Sequence, residues 1–181
     1  MKTTKSEIIR IADELIRTKG YNAFSYSDIS ECLKIKNASI HYYFPAKSDL
    51  GVEVIKKTIL GFQNITKSWE DMSIKNQYET FVKMHDQTQK EHWVCLMGAL
   101  SPSFDTLSND MKRELSKMAS IIIDYLAEIL EKGKQQGIFS FPEDPRTKAY
   151  LVQSSLLASL LLDKVIGDGT YDIIQKGLLN N

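Results

Sequence analysis

The 181-residue sequence predicts an all-α fold. Apolar residues return every three or four positions along most of its length, no stretch keeps a convincing strand alternation, and Gly or Pro punctuates the periodic segments. Repeats and low-complexity tracts are absent.

The first helix carries Ile8, Ile11, Ala12, Leu15 and Ile16 inward, with Thr4 and Glu7 spaced as a capping box and Gly20 as a stop. Ser25 and Asp28 repeat that capping signature. Ile29, Cys32 and Leu33 then form the apolar face of a short second helix ending near Lys34, and Cys32 is expected in the core. A third short helix starts around Asn37, turns Ile40 and Phe44 inward and stops at Pro45. From Lys47 a longer helix places Leu50, Val54, Ile55, Ile59 and Phe62 on one side, with no flexible linker before it. Ile74, Tyr78, Phe81 and His85 share a later face, and a helix near Trp93 to Phe104 is interrupted by Pro102. Met111, Leu115, Met118, Ile122, Tyr125 and Ile129 sustain a stripe as far as Gly137. After a turn with Pro142 and Pro145, "PRTKAYLVQSSLLASLLLDKVIGD" and "YDIIQKGLL" read as a long helix and a short one.

Charged residues make up 25% and hydrophobic residues 43%, and the formal net charge is zero, which argues against disorder and against a wholly basic surface. The balance conceals an asymmetry. Residues 1–60 hold ten Lys/Arg against seven Asp/Glu, and the remainder thirteen against sixteen. No secretory leader pattern opens the sequence, and the apolar run Leu156 to Leu162 is well short of the ~20 residues of a membrane span, so a cytoplasmic protein is expected. Cys32 and Cys95 are expected to remain thiols there.

Two short helices joined by a tight turn are the components of a helix-turn-helix, whose second helix enters a DNA major groove. At the start of that helix stand Asn37, Ala38 and Ser39: an amide that can read adenine, a methyl that can touch thymine, and a hydroxyl for base or phosphate. Asn37 can instead cap the helix, and both roles stay open. The polar tips of His41, Tyr42, Tyr43 and Lys47 suit phosphate oxygens, which fix register, while Ile40 and Phe44 anchor the helix.

On these residues, roughly 4 to 50, the sequence resembles the DNA-binding domain of TetR-family (tetracycline-repressor-like) transcriptional regulators. The matching pieces are Ser25 opening the second helix, the Ile29–Ser30 pair, and the run Tyr42, Tyr43, Phe44, Lys47 and Leu50. The chain departs from the family's pattern with Lys34 where Gly is common in the turn, His41 where Tyr is common, and Tyr43 where His is common. The resemblance implies a three-helix DNA-binding domain over residues 1–49 and a helical ligand-binding and dimerisation domain over 50–181. It also implies a duplex DNA operator, an unidentified small-molecule effector and a homodimer as partners, with no membrane. DNA contacts are expected at Ser25, Asn37, Ala38, Ser39, His41, Tyr42, Tyr43 and Lys47. "SSLLASLLL" mixes small and aliphatic side chains suited to close packing between helices of two protomers.

Tyr78, Phe81, His85, Trp93, Met97, Phe104, Met118 and Tyr125 combine bulky apolar surface with a few polar tips, as a ligand pocket does, although such stripes are more often core. His85 and His92 lie seven residues apart, about 10 Å along a helix, too far to share one metal ion. Cys95, near a helix start, is similar to a sensing cysteine of some electrophile-responsive members of the family, and a buried inert thiol is the alternative. No metal quartet, P-loop, nucleophile elbow or Gly-rich cofactor fingerprint is present, so no cofactor is expected. The leading expectation is a ligand-responsive DNA-binding regulator, a repressor by family analogy, and not an enzyme. The alternative is an all-α small-molecule-binding protein or enzyme using the C-terminal pocket.

Overall fold

The structure is a computed structural model that describes residues 4–167 and 169–180. Among these residues there are ten α-helices and no strand. They are α1 (Thr4–Lys19), α2 (Tyr26–Leu33), α3 (Asn37–Tyr43), α4 (Lys47–Lys67), α5 (Ile74–Val82), α6 (Asp86–Lys90), α7 (Leu96–Leu100), α8 (Asn109–Gln135), α9 (Pro145–Ile166) and α10 (Thr170–Leu179). Short 3-10 turns at Tyr21–Ala23, Lys83–His85 and Ser101–Thr106 connect some of them. The broken stretch after Tyr78 and the 3-10 turn at Pro102 replace the longer helices that the periodicity suggested. Helix α1 already includes Thr4, so the position ahead of it, where a cap would sit, lies outside the described residues.

The chain forms two compact units. One comprises residues as far as Gly61 together with Leu96–Met118, and the other Phe62–Cys95 together with the residues from Ala119 onward. Compactness thus groups the chain differently from the division at residue 49.

In the first unit α1 packs on α2, α3 and α7. Its inward residues Ile8, Ala12 and Ile16 are almost wholly buried, as are Ile29, Ile40, Phe44, Leu50 and Val54. Gly51, inside α4, is buried where an added Cβ would lie 2.5 Å from the Met111 Cε and 3.3 Å from the Tyr21 ring. A helix-interior glycine costs about 1 kcal/mol relative to alanine. Here it permits the close approach of Met111 and Tyr21.

In the second unit Phe62, Phe81 and Tyr125 meet edge to face or tilted at centroid distances of 5.6 to 6.4 Å, and Trp69 joins them 6.2 Å from Tyr125. Helix α10 packs on α9 and α5 and is pinned by polar bonds. The Tyr171 hydroxyl donates to Asp86 at 2.9 Å, Gln175 donates to the same oxygen at 2.6 Å, and Asp163 accepts from the Tyr171 N–H and from Gln89. Burial, before the nearby Asp86, pushes the Tyr171 phenol well above its usual range, so it stays a donor. In α8 a Cβ on Gly133 would run into the Phe139 ring, which itself meets the Tyr78 ring tilted, at a centroid distance of 5.0 Å. Gly133→Ala should therefore destabilise the protein by about 1–3 kcal/mol through overpacking, measured by denaturant unfolding.

One expectation is overturned outright. Cys32 is exposed, not core, because the buried side of the eight-residue α2 is carried by Tyr26 and Ile29. Helix α9 is long and largely apolar. Its most apolar 18-residue window has a mean hydropathy of 1.4 with a third of it buried, so by length and composition alone the helix could cross a membrane, which the short run Leu156 to Leu162 had not suggested. The helix is two-sided. Ala149, Val152, Gln153, Leu156, Ser159 and Leu160 are buried, whereas Tyr150, Leu151, Leu161, Leu162, Val165 and Ile166 are exposed.

Candidate nucleic-acid interface

Helix α2 begins at a reciprocal cap. The Asp28 carboxylate accepts from the Ser25 N–H and the Ser25 hydroxyl, each at 2.8 Å, and from Lys19 at 2.9 Å. The Lys19 bond, then those from Ser25, hold the Asp28 carboxyl far below the usual carboxylate range. A depressed carboxyl stabilises the fold above its unfolded pKa, and this contribution disappears as pH falls through the folded value. Asp28→Asn should therefore be less stable than wild type at pH 6, with the difference shrinking below the ordinary value of 3.8. Thermal melts across that range check it. Ser25 is exposed, and its hydroxyl is already engaged in this cap and with Ser27 at 2.7 Å.

The turn between α2 and α3 answers the Lys34 departure. Lys34 takes up the left-handed conformation, φ 54° and ψ 42°, where glycine is free and a side chain is strained. Lys34→Gly should raise stability by about 0.5–1 kcal/mol, readable as a higher melting temperature.

Helix α3 is capped by Lys36, which makes no side-chain cap bond, so Asn37 is the first helical residue and not the cap. The amide of Asn37 is exposed together with Ala38, and Ser39 is half-buried. Ile40 is fully buried and Phe44 nearly so, while His41, Tyr42 and Tyr43 are exposed, Tyr42 to 82%. The Tyr42 and Tyr43 rings meet edge to face at 5.2 Å, and His41 lies 4.7 Å from Tyr26. The Tyr26 hydroxyl donates to the Phe44 carbonyl at 2.8 Å, closing the end of α3 onto α2. Burial pushes the Tyr26 phenol up to about 12, which keeps that proton in place. A seven-residue helix cannot stand alone. It is held by two apolar anchors and one phenol, and Asn37, Ala38, His41, Tyr42 and Tyr43 are left exposed.

Two exposed lysines that the sequence reading did not assign flank this surface. Lys34 and Lys36 make no ion pair among the described residues. The spacing "LKIKN" just ahead of a recognition helix was the available signal. Lys47, by contrast, is half-buried: its Nζ donates to the Tyr21 carbonyl at 2.6 Å and to the Phe24 carbonyl.

The eight residues considered for a ligand pocket are divided between the units. Phe81 and Tyr125 belong to the aromatic cluster of the second unit, which also holds Tyr78, His85 and Trp93. Tyr78 is buried and donates to the Leu178 carbonyl at 3.0 Å. Met97, Phe104 and Met118 are in the first unit, where Phe104 is exposed under the Lys112 ammonium. Within the second unit a cavity of about 480 Å³ is lined by Gln63, Thr66, Lys67, Glu70, Gln77, Tyr125, Glu128, Ile129 and Lys132. Tyr125 is the one member shared with the sequence list. Its hydroxyl is buried without a hydrogen-bond partner, and burial, reinforced by Glu128 and Glu70, pushes the phenol up to about 12. The polar lining escaped the sequence reading because it sits on the solvent side of helices whose apolar stripes drew attention.

Cys95 is 6% exposed, just ahead of the five-residue α7. A thiol reagent under native conditions should therefore label Cys32 rapidly and Cys95 only on unfolding, as mass spectrometry of the labelled peptides would show.

A helix-turn-helix carried by a wholly helical chain defines a class of DNA-binding regulators, and the comparisons with known proteins agree. The family model "Bacterial regulatory proteins, tetR family" matches residues 8–54. A TetR transcriptional regulator from Legionella pneumophila superposes with a TM-score of 0.88 at 29% identity, covering 98% of this chain and 96% of that one. A TetR-family regulator from Agrobacterium tumefaciens gives 0.90 at 25% identity, covering 97% and 95%. The HTH-type transcriptional repressor NemR of Escherichia coli (strain K12) is 21% identical over 168 residues, 90% of this chain and 84% of NemR. Residues 8–54 thus carry the DNA-binding domain of the TetR family, and the chain as a whole is similar to TetR-family transcriptional regulators.

Proposed function

We propose that the protein is a ligand-responsive repressor: a cytoplasmic homodimer that holds an inverted-repeat operator and releases it when a small molecule binds the second unit. The observation that carries this reading is the two-sidedness of α3. Ile40 is buried, while Asn37, Ala38, His41 and Tyr42 present an amide, a methyl, an imidazole and a phenol outward. Residues 1–49 bind DNA in this reading, and residues 50–181 hold the effector and the second protomer. Asn37 and Ala38 read bases, and Ser25, Ser39, His41, Tyr42 and Tyr43 meet the backbone.

The effector site we favour is the cavity at Tyr125. Its unpartnered phenol is a donor awaiting an acceptor, and leaving a buried hydroxyl unmet costs about 1–3 kcal/mol. Lys67 and Glu70, which make no ion pair among the described residues, add one charge of each sign to the lining, so a polar effector suits it better than a hydrocarbon. An effector that favours the DNA-incompetent state weakens operator binding by the same factor by which DNA weakens effector binding, typically worth ~1–3 kcal/mol. The aromatic and thioether residues Tyr78, Phe81, His85, Trp93, Met97, Phe104 and Met118 remain candidates for contact or for transmission, and the buried Cys95 would join them as a sensor were it labelled in the folded protein.

Two substitutions separate the roles on α3. Tyr42→Phe should weaken binding to all duplexes alike, whereas Asn37→Ala should change sequence preference, both read from binding-site selection on random duplex DNA. Unchanged preference in Asn37→Ala would remove that residue from base reading.

A further inference from the structure

The position of Lys47 does not fit a phosphate contact. An ammonium has three N–H donors. In Lys47 two of them are directed at the Tyr21 carbonyl, 2.6 Å away, and at the Phe24 carbonyl, and the group lies 4.8 Å from the Tyr21 ring centre and 4.0 Å from that of Phe24. Burial lowers its pKa, so this ammonium has already exchanged water for carbonyls and ring faces. Moving it to a phosphate would leave both carbonyls without their charged donor.

The turn that Lys47 holds is also gripped from elsewhere in the same unit. The Asn22 amide donates to the Ser103 hydroxyl at 3.3 Å and the Thr106 hydroxyl at 3.1 Å. The Tyr21 ring packs where Gly51 and Met111 approach closely. This turn leads directly into α2, and α2 holds the end of α3 through the Tyr26 hydroxyl on the Phe44 carbonyl. The first residue of α4 therefore fixes the turn ahead of α2, on the far side of the recognition helix in sequence.

We propose that Lys47 is a positioning residue for operator binding: its ammonium clasps the Tyr21–Phe24 turn to the start of α4 and so sets the orientation of α3. The phosphate charges beside the recognition helix are supplied instead by the exposed Lys34 and Lys36. This rests on the DNA-binding reading above and deepens it.

The two roles differ in salt dependence. Each lost phosphate contact lowers the slope of log affinity against log salt by about 0.9, whereas a misplaced helix lowers affinity without a matching change in charge neutralised. The test compares wild type, Lys47→Met, Lys47→Arg and Lys36→Met by fluorescence anisotropy, on the tightest duplex that wild type selects from random DNA, over a salt series. Lys47→Met should lose about tenfold or more in affinity at every salt concentration with a wild-type slope, and Lys36→Met should lose about one unit of slope. Lys47→Arg keeps the charge, but its planar fork does not fit between two carbonyls and two rings, so it should bind more weakly than wild type with the slope unchanged. A slope lower by about one in Lys47→Met, wild-type affinity in Lys47→Met, or wild-type affinity in Lys47→Arg would each overturn the clasp. Should Lys47→Met melt below the assay temperature, Lys47→Arg decides by its affinity. Failure of the wild-type protein to bind any duplex would instead overturn the DNA-binding reading, and this proposal with it.

Discussion

Leu161→Glu should convert the protein to a monomer and reduce its affinity for an inverted-repeat duplex by more than about a hundredfold, while leaving each chain folded. Leu161 is 42% exposed, on the side of α9 that also shows Tyr150, Leu151, Leu162 and Val165, and at 85% exposure Val165 has almost no contact of its own within the chain. Between them on the same side, Ser154 and Ala158 are small enough for two helices to approach closely. An exposed apolar stripe of this length on a 22-residue helix matches an isologous interface in which each residue meets its symmetry mate. A glutamate there brings two carboxylates together in a desolvated setting, a cost of several kcal/mol per ion. The DNA effect follows because two half-sites bound through one dimer gain affinity by effective concentration, a factor on the order of 10²–10⁴ that a monomer loses. Light scattering gives the mass and anisotropy the affinity. A dimer that survives Leu161→Glu would place the interface on another face.

Phe44→Ala should destabilise the DNA-binding unit by about 3–5 kcal/mol, the usual cost of removing a buried phenyl ring. Phe44 is 2% exposed and sits at the C-cap of α3, where its N–H bonds to the Ile40 carbonyl and its own carbonyl receives the Tyr26 hydroxyl. The Lys5 ammonium lies over its ring at 5.6 Å. Only Ile40 within the seven-residue α3 is buried, so the helix has little else to keep it in place. The loss should appear as a melting temperature lower by roughly 10 °C, with binding to every duplex impaired whatever its sequence. Tyr26→Phe should show the same pattern at about 1 kcal/mol, since it removes one hydrogen bond and retains the ring.

Much of the architecture was legible because it follows from short-range chemistry. The apolar stripes of α1, α4 and α8 are buried almost residue for residue, and Ser25 with Asp28, Pro45 and Pro145 mark helix ends that the structure reproduces. Periodicity failed where helices are short. In the eight-residue α2, Tyr26 and Ile29 already fill the buried side, so Cys32 falls on the outer one. Between Ile74 and Leu107 three brief helices and two 3-10 turns replace the helical face from Ile74 to His85 and the helix near Trp93 to Phe104. Side-chain roles set by distant partners were the least legible. Nothing adjacent to Lys47 in sequence shows that carbonyls 23 and 26 residues earlier receive its ammonium. The cavity at Tyr125 is likewise assembled from α4, α5 and α8, by polar residues that no periodic pattern singles out.

Selecting duplexes from random DNA with the 181-residue protein, and measuring the mass of the resulting complex, tests whether it acts as a dimeric helix-turn-helix regulator. The expected result is an inverted repeat with half-sites spaced by about one helical turn or a multiple of it, bound by an even number of protomers, with affinity falling steeply as salt rises. Recovery of a single asymmetric half-site bound by one protomer, or of no preferred duplex at any salt concentration, would contradict it.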